Sequence, residues 1–343
     1  MDRILRTFEL LHAKYPSTMG RSYALLAALS SASMTIVMKA ISKDINFMSL
    51  MPVQAAIANV VCFIIFNASN DSMYNPDDKM TLALLFRGFL GSANFVLFSF
   101  GMRVLPLQKF IVLCNTMPIW VVVLSPFLLD EWPDKILVAM LVVSCAGIVI
   151  MVDPGLLLPE YLLPHGVIDS DEKEYSNFLL MIPIMGALVG AIISIFLKKF
   201  AGRISIGQNS TYFLAFTSFY AGLSASLSSI PPAEKLSSIH DIFFASITGC
   251  CQLAYQTFFG LAIKYEKRAS YVSLLINSQI IIAYAMDVIL LGNSINLLNL
   301  IGGFMIICAS AVIALSKDNP PVDLDQRVKD NICSSALAQN TLK

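Results

Sequence analysis

Four ionisable side chains lie inside or at the edge of long apolar runs of this sequence, where a charge is costly. They are Lys39, Arg87, Lys109 and Asp287. Cations in such places can attract or bind an anion, and a carboxylate can carry a proton or pair with Lys39 or Lys109. Equally, the cations could snorkel toward lipid headgroups, and Asp287 could form a structural salt bridge. The residue types leave both interpretations open.

Uncharged polar residues also recur at helical spacing within apolar runs. Asn94 and Gly91 share the helical face of Arg87, which favours an arginine turned toward the protein interior. Amides in lipid need partners, so these faces meet either a neighbouring helix or a cavity. The candidate pathway residues are Lys39, Arg87, Asn94, Lys109, Asn115, Gln252, Tyr255, Asn277 and Asp287. Gln252, Tyr255 and Gln256 are predicted to share a face of the eighth run. The ninth run is predicted to carry one polar face with Ser273, Asn277, Tyr284 and Asp287.

The composition defines the environment of these residues. Of 343 residues, 57% are hydrophobic and 13% are charged, and the net charge is zero. Soluble domains carry about 25% charged residues. Disorder, a nucleic-acid partner and a soluble enzyme are therefore disfavoured. The seven cysteines form no spacing framework, which predicts small packed residues and no disulfides. We predict a polytopic protein whose main partner is the lipid bilayer.

Ten apolar runs are long enough to predict ten transmembrane helices in an all-α fold. They span residues 22–41, 47–66, 82–102, 107–129, 136–152, 178–197, 211–229, 242–263, 269–291 and 297–315. With the N-terminus inside, the inner loops and flanks receive twelve lysines and arginines and the outer loops four. This bias predicts that both termini are cytosolic. It leaves open whether the membrane is the plasma membrane or an endomembrane.

The chain divides around a long outer loop into two groups of five runs. We predict a cytosolic N-terminal segment (1–21), a first five-helix unit (22–152), an outer linker (153–177), a second five-helix unit (178–316) and a disordered cytosolic tail (317–343). Residues 98–101 (FSFG) and 257–260 (TFFG) occupy corresponding places in the two units. Because five is odd, the second unit is inverted relative to the first. Inverted repeats are typical of transporters.

Three short segments carry a resemblance to a known family. They are residues 86–92 (FRGFLGS), residues 115–118 (NTMP) with a proline within the fourth span, and residues 128–131 (LLDE) at a hairpin. The chain thereby resembles drug/metabolite transporters of the EamA type, nearest to the G-like members of solute carrier family 35. The resemblance implies alternating access between two five-helix bundles, with no particular substrate. Gln279 and Gly292 depart from the pattern in the second unit.

Other classes of function lack their residues. The three histidines lie outside the apolar runs, and neither a zinc-protease motif nor a phosphate-binding loop occurs. We therefore predict no enzyme, no metal and no cofactor. The sequence predicts a secondary transporter for a small polar organic metabolite, anionic or zwitterionic. The alternative is a channel-like protein or a membrane scaffold that transports nothing. A homodimer is left open.

Overall fold

The structure, a computed structural model, describes residues 16–41, 47–68, 77–104, 110, 113–152, 177–227, 239–292 and 297–316. Within these ranges the chain forms eleven α-helices and no strand. The helices are α1 (Pro16–Ile41), α2 (Phe47–Ala68), α3 (Asp78–Val104), α4 (Met117–Leu128), α5 (Lys135–Val152), α6 (Asn177–Phe200), α7 (Ile206–Leu227), α8 (Ile239–Tyr265), α9 (Ala269–Ile276), α10 (Gln279–Leu291) and α11 (Leu297–Leu315). The all-helical prediction is confirmed for this part of the chain.

Five helical stretches are long and apolar enough to cross a membrane. They are Asp78–Phe98, Met181–Phe200, Ile242–Tyr265, Ala269–Leu290 and Leu297–Leu315. Shorter apolar helices cover Met51–Asn67, Met117–Leu128 and Lys135–Met151. Large apolar side chains point outward, and Phe127 and Leu315 are 78% and 84% exposed. Such apolar surfaces are favourable in contact with lipid tails and unfavourable in contact with water.

The fourth predicted span is not one continuous helix. Its last part forms α4, which begins only at Met117, after a turn at Asn115 and Thr116. Thr116 N–H donates to Leu113 O at 3.3 Å, and Thr116 Oγ1 donates to the same carbonyl at 2.7 Å. Pro118 therefore lies in the first turn of a helix, where its missing N–H leaves no bond unmade. The proline predicted in the middle of the fourth span thus lies at the start of a helix.

The ninth predicted span is also broken. It forms α9 and α10, separated by Asn277 and Ser278. Asn277 N–H donates to Leu274 O and Ile280 N–H donates to Asn277 O, both at 3.2 Å, which is the tighter three-residue pattern. Of the four residues predicted to share one face, Ser273 and Asn277 lie before or at this turn, and Tyr284 and Asp287 lie after it.

Most of the packing joins a helix that precedes residue 153 to a helix that follows residue 176. The main pairs are α1 with α8, α3 with α6, α2 with α7, α3 with α7, α2 with α8 and α5 with α11. In addition, α4 packs on α6 and α9, while α1 packs on α9 and α10. Because the two parts of the chain are stabilised chiefly by each other, neither forms a separate globule.

Glycines permit the closest helix crossings. A Cβ atom built on Gly147 would lie 2.7 Å from Gly302 O, and one built on Gly302 would lie 2.4 Å from Gly147 O. A Cβ at Gly88 would meet Tyr212 O at 2.9 Å, and a Cβ at Gly249 would meet Gln54 O at 2.7 Å. Small residues let helix backbones approach closely in a membrane, where lipid tails are as apolar as leucine.

Several predictions fall outside the described residues. They concern the N-terminal segment before residue 16, the linker from 153 to 176, the tail from 317 onward and Lys109. Lys39 lies within α1, but its side chain is not described. The described cysteines are all free and are Cys62, Cys114, Cys145, Cys250, Cys251 and Cys308.

Candidate functional site

Arg87 is buried in the middle of α3, with 2% of its surface exposed. It follows the start of α3 by nine residues, or about 13 Å of helix at roughly 1.5 Å per residue. Its Nη2 donates to Gln256 Oε1 of α8 at 2.9 Å, and its Cζ lies 5.0 Å from the centre of the Phe213 ring of α7. The side chain is turned into the protein, and three helices meet around it.

The guanidinium of Arg87 retains unused hydrogen-bonding capacity. Its Nε and Nη1 atoms are buried and have no hydrogen-bond partner, and no carboxylate of the described residues pairs with it. Tyr255 of α8 is close enough to interact with it electrostatically. Gly91, one turn along α3, would place a Cβ 3.6 Å from Nη1 and 3.2 Å from Cδ2 of Phe213, so the glycine leaves room for the aromatic ring beside the guanidinium. A buried cation without a counter-ion is destabilising by several kcal/mol.

Asn94 lies two turns beyond Arg87 on α3 and faces α6. Its Oδ1 would be 3.0 Å from a Cβ at Gly186, and its Nδ2 would be 3.8 Å from one at Gly190. Met117, the first residue of α4, approaches the same glycine, with its Sδ 3.2 Å from that Cβ position. The Oδ1 of Asn94 is buried and has no hydrogen-bond partner. An unpaired amide therefore lies beside the start of α4.

Gln252 pairs with Gln54 across the contact between α8 and α2. Gln54 Nε2 donates to Gln252 Oε1 at 2.9 Å, and both residues are at most 2% exposed. The remaining amide atoms, Gln54 Oε1 and Gln252 Nε2, have no partner. Tyr255, on the next turn of α8, stacks on Phe259 with ring centres 5.8 Å apart. The pair fits helix packing, and its free atoms could also serve a polar ligand.

The remaining predicted site residues are dispersed. Asn115 and Asn277 are buried at the two helix breaks, and the Nδ2 of Asn277 has no partner. Asp287 is half-buried on α10. Its predicted partners, Lys39 and Lys109, cannot be placed beside it because their side chains lie outside the described part of the chain. The structure thus brings Arg87, Tyr255 and Gln256 together, and it places Asn94 on the same helix as Arg87.

A small cavity of about 20 Å³ lies between α6, α7 and α8. Its lining includes Asn209, which is 2% exposed and whose two amide atoms are both unpaired. A space of this size holds one or two waters and no organic metabolite. Water there would satisfy the amide, so we do not assign the cavity to a substrate.

Sequence reasoning missed a charged cluster, which we define as Arg21, Glu131, Asp134, Lys198, Glu266 and Arg268. Arg21 Nε pairs with Glu266 Oε2 at 2.9 Å, and Arg268 Nη1 pairs with Asp134 Oδ2. Tyr271 of α9 donates its hydroxyl to Asp134 Oδ2 at 3.2 Å and lies beneath both arginines. Each ion pair connects residues more than a hundred positions apart. The available signal was that both short turns, 129–134 and 266–268, contain acids beside the ends of apolar runs.

The cations of the cluster also bind the ends of helices. Arg21 Nη1 donates to Ala314 O at 3.0 Å and to Ser316 O at 2.6 Å, where α11 ends. Lys198 Nζ donates to Ile263 O at 3.3 Å and to Glu266 O, where α8 ends. Cations stabilise helix C-termini because the last carbonyls are unpaired and carry partial negative charge. The cluster therefore connects α1, α6, α8, α9, α11 and the turn before α5.

Glu131 differs from the other two acids because it has no direct ion pair with any residue that the structure describes. Its Oε2 accepts one hydrogen bond, from the N–H of Ala269 at the start of α9, at 3.3 Å. Burial raises the pKa of this carboxyl, and Glu266 adds to the increase, while Lys198, the Ala269 N–H and Arg268 oppose it. The carboxyl of Glu131 therefore binds a proton more readily than the carboxyl of an exposed glutamate does.

Comparisons with known proteins agree with a membrane transporter. Residues 18–153, which contain α1 to α5, match the model of the EamA-like transporter family. This match supports the resemblance to the drug/metabolite transporter superfamily, and that family is one of transporters and not of enzymes. A solved structure described as "Crystal structure of protein" has a TM-score of 0.66 at 15% identity, and the alignment covers 88% of this chain and 97% of that one. This likeness concerns the fold alone. Among curated proteins, no sequence matches.

The apolar helices and the family match together define the class. The chain is an integral, multi-pass membrane protein with an EamA-like first part.

Proposed function

We propose that this protein is a secondary transporter that moves a small anionic or zwitterionic metabolite across a membrane by alternating access. We further propose that it belongs to the drug/metabolite transporter superfamily, near solute carrier family 35. The observation that carries the proposal is Arg87, a buried cation with two unused donor nitrogens and no carboxylate partner in the described chain.

The physical argument starts from the cost of that cation. Insertion of an arginine at the centre of a membrane helix costs about 2.5–3.5 kcal/mol on translocon scales. Here one amide and one aromatic face offset part of the cost. A carboxylate or phosphate group would supply the missing counter-charge and accept hydrogen bonds from Nε and Nη1. The unpaired Asn94 amide lies further along α3 and could bind another polar part of the substrate.

The helix pairing supports two inverted five-helix units that span the membrane ten times, if α9 and α10 together count as the ninth span. If each of the first five spans is exchanged for the span at the same position among the last five, the contact between α1 and α8 becomes the contact between α6 and α3. The same exchange turns the contact between α3 and α7 into the contact between α8 and α2. The contact between α2 and α7 is unchanged by the exchange, and so is the contact between α5 and α11. The close contacts obey the same exchange, since Gly88 approaches α7 and Gly249 approaches α2.

The two helix breaks also correspond under this exchange. One precedes α4 in the fourth span, and the other precedes α10 in the ninth. Discontinuous helices near the middle of the bilayer expose helix N-termini that carry partial positive charge. In a transporter, such termini help to bind an anionic group. The breaks are therefore consistent with a substrate site at the level of Asn115 and Asn277.

The test of the anion site is binding to the purified full-length protein. We would measure thermal shifts with small carboxylates, phosphate esters, amino acids and organic cations of similar size, because a ligand of the native state raises its apparent stability. Arg87→Gln should abolish the shift produced by anions. A charge-assisted hydrogen bond contributes about 1.5–3 kcal/mol, so affinity should fall about 10- to 100-fold. The control is Arg203→Gln, which removes an exposed arginine and should bind normally. Anion binding that survives Arg87→Gln would contradict the assignment.

Transport itself is tested in proteoliposomes with an anion found in that screen. A carrier gives saturable uptake that is accelerated by unlabelled substrate on the opposite side. A channel gives uptake that rises linearly with concentration and unitary currents. A scaffold gives neither, and that result would exclude the proposed function.

A further inference from the structure

The charged cluster connects the two parts of the chain that would move against each other in a transporter. Arg21 precedes residue 153 and its partner Glu266 follows residue 176, and the same holds for Asp134 and Arg268. Gly20 is so close to the 266–268 turn that a Cβ there would lie 2.4 Å from Glu266 N. The described structure is therefore closed at this end, and opening it requires these contacts to separate.

Glu131 is the member of the cluster that can gain or lose a proton without breaking an ion pair. Asp134 and Glu266 each have an arginine as a direct partner, whereas within the described ranges Glu131 is bonded only to the Ala269 N–H, at 3.3 Å. The charged groups that influence it are Lys198 of α6 and Glu266 and Arg268 of the turn before α9. When the end opens, water replaces this environment and the carboxyl regains its ordinary acidity.

We propose that Glu131 is a proton-binding site, and that its proton holds the charged end of the pathway closed until it is released to the solvent on that side. This inference rests on the proposed function for its role in transport, although the proton site can be tested without any substrate. A proton bound in the closed state and released in the open state would couple the movement of the two units to a proton gradient.

The sign of the pH dependence follows from the raised pKa of Glu131 in the closed state. An exposed glutamate has a pKa of about 4.3, so the open state binds the proton more weakly than the closed state does. Low pH therefore favours the closed state. Opening becomes more favourable as pH rises from about 4.3 through the raised pKa, by at most about tenfold for each unit that separates the two values.

The readout is the reactivity of a thiol introduced by Ser270→Cys. Ser270 is buried one residue after Ala269, with its Oγ 3.4 Å from Ser125 Oγ, so a polar reagent reaches it only when this end opens. The probe is a positively charged methanethiosulfonate, and labelling at position 270 is quantified by peptide mass spectrometry in the full-length protein. Each labelling rate is divided by the rate for the same Ser270→Cys thiol in a protein that also carries Glu131→Gln. This ratio cancels the intrinsic pH dependence of the thiol.

Glu131→Gln imitates the protonated carboxyl and should hold the end closed at every pH. We expect nearly equal labelling of the two backgrounds at about pH 4, where the carboxyl binds its proton in both states, and labelling several-fold faster with native Glu131 at about pH 8. The control is Asp130→Asn, because Asp130 is an exposed neighbouring acid with φ of 56°, a conformation that asparagine tolerates. This control should label like the native background. A constant ratio from about pH 4 to pH 8 would overturn the proposal.

A second variant tests the same contact if the Glu131→Gln protein fails to fold. Ala269→Pro removes the N–H that donates to Glu131 and suits the first position of α9, because Arg268 before it is extended at φ −117° and ψ 122°. It should accelerate labelling at each pH, and unchanged labelling would contradict the role of this contact. If labelling behaves as expected but proteoliposomes show no saturable uptake, the proton site stands and the transport proposal fails.

Discussion

Arg87 and the arginines of the charged cluster are all buried cations, but they are stabilised in different ways. Arg21 and Arg268 each pair with a carboxylate, and Arg21 also binds two carbonyls. Arg87 has one amide, one aromatic ring and two unused nitrogens. A paired arginine holds helices together, whereas an arginine without a counter-ion is ready to receive one. The same residue type therefore serves structure at one place and, as we propose, binding at another.

At the same scale, the Gln54–Gln252 pair should show strong coupling in stability. Gln252→Met leaves the Gln54 amide buried without its partner, which should lower the free energy of unfolding by about 1–3 kcal/mol. The double variant Gln54→Met/Gln252→Met removes both polar groups and should be less destabilised than the sum of the single variants. Thermal unfolding of all four proteins in one detergent measures this cycle. Additive effects would indicate that the 2.9 Å hydrogen bond contributes little.

Among the elements, the crossing of α5 and α11 depends on two glycines that face each other. Gly147→Ala would place a methyl group 2.7 Å from Gly302 O, so the helices must separate. Overpacking of this kind costs about 1–3 kcal/mol, and the midpoint of thermal unfolding should fall. Gly222→Ala in α7 is the control, because no atom lies within 4 Å of its Cβ position. That variant should be neutral or stabilised by up to about 1 kcal/mol, since alanine favours helix.

The helices themselves could be predicted from the sequence, and their breaks could not. Long apolar runs indicate helices because lipid leaves no other way to satisfy the backbone. The two breaks occur at Asn115-Thr116 and Asn277-Ser278, which in sequence resemble any other polar positions within a span. A proline follows the first break closely, at Pro118, whereas the second break has no proline beside it.

The candidate site could be predicted only where one helix carries it. Arg87 and Asn94 were found because a charge and an amide in an apolar run are costly on any helix face. The charged cluster was missed because its partners are far apart in the chain, as with Arg21 and Glu266. Each of these residues, viewed alone, is an ordinary charge at the end of a span. Only the fold shows that they pair.

For the molecule as a whole, orientation remains a prediction from the distribution of lysine and arginine. The sequence contains glycosylation motifs at Asn67, Asn70 and Asn209, and all three fall on the predicted cytosolic side. Asn209 is also buried, which leaves no space for a glycan. The protein expressed in eukaryotic cells should therefore show no change in gel mobility after glycosidase treatment. A glycan at Asn67 or Asn70 would reverse the assigned orientation and would place the charged cluster on the outer side.

The reciprocal contact of Gly147 and Gly302 restricts how the protein can deform. Each backbone carbonyl lies against the opposing glycine, and the neighbouring side chains, Met151 and Ile306, enclose the crossing. Translation of α5 along α11 would drive those side chains into backbone atoms. The two helices therefore cannot slide past each other without first moving apart.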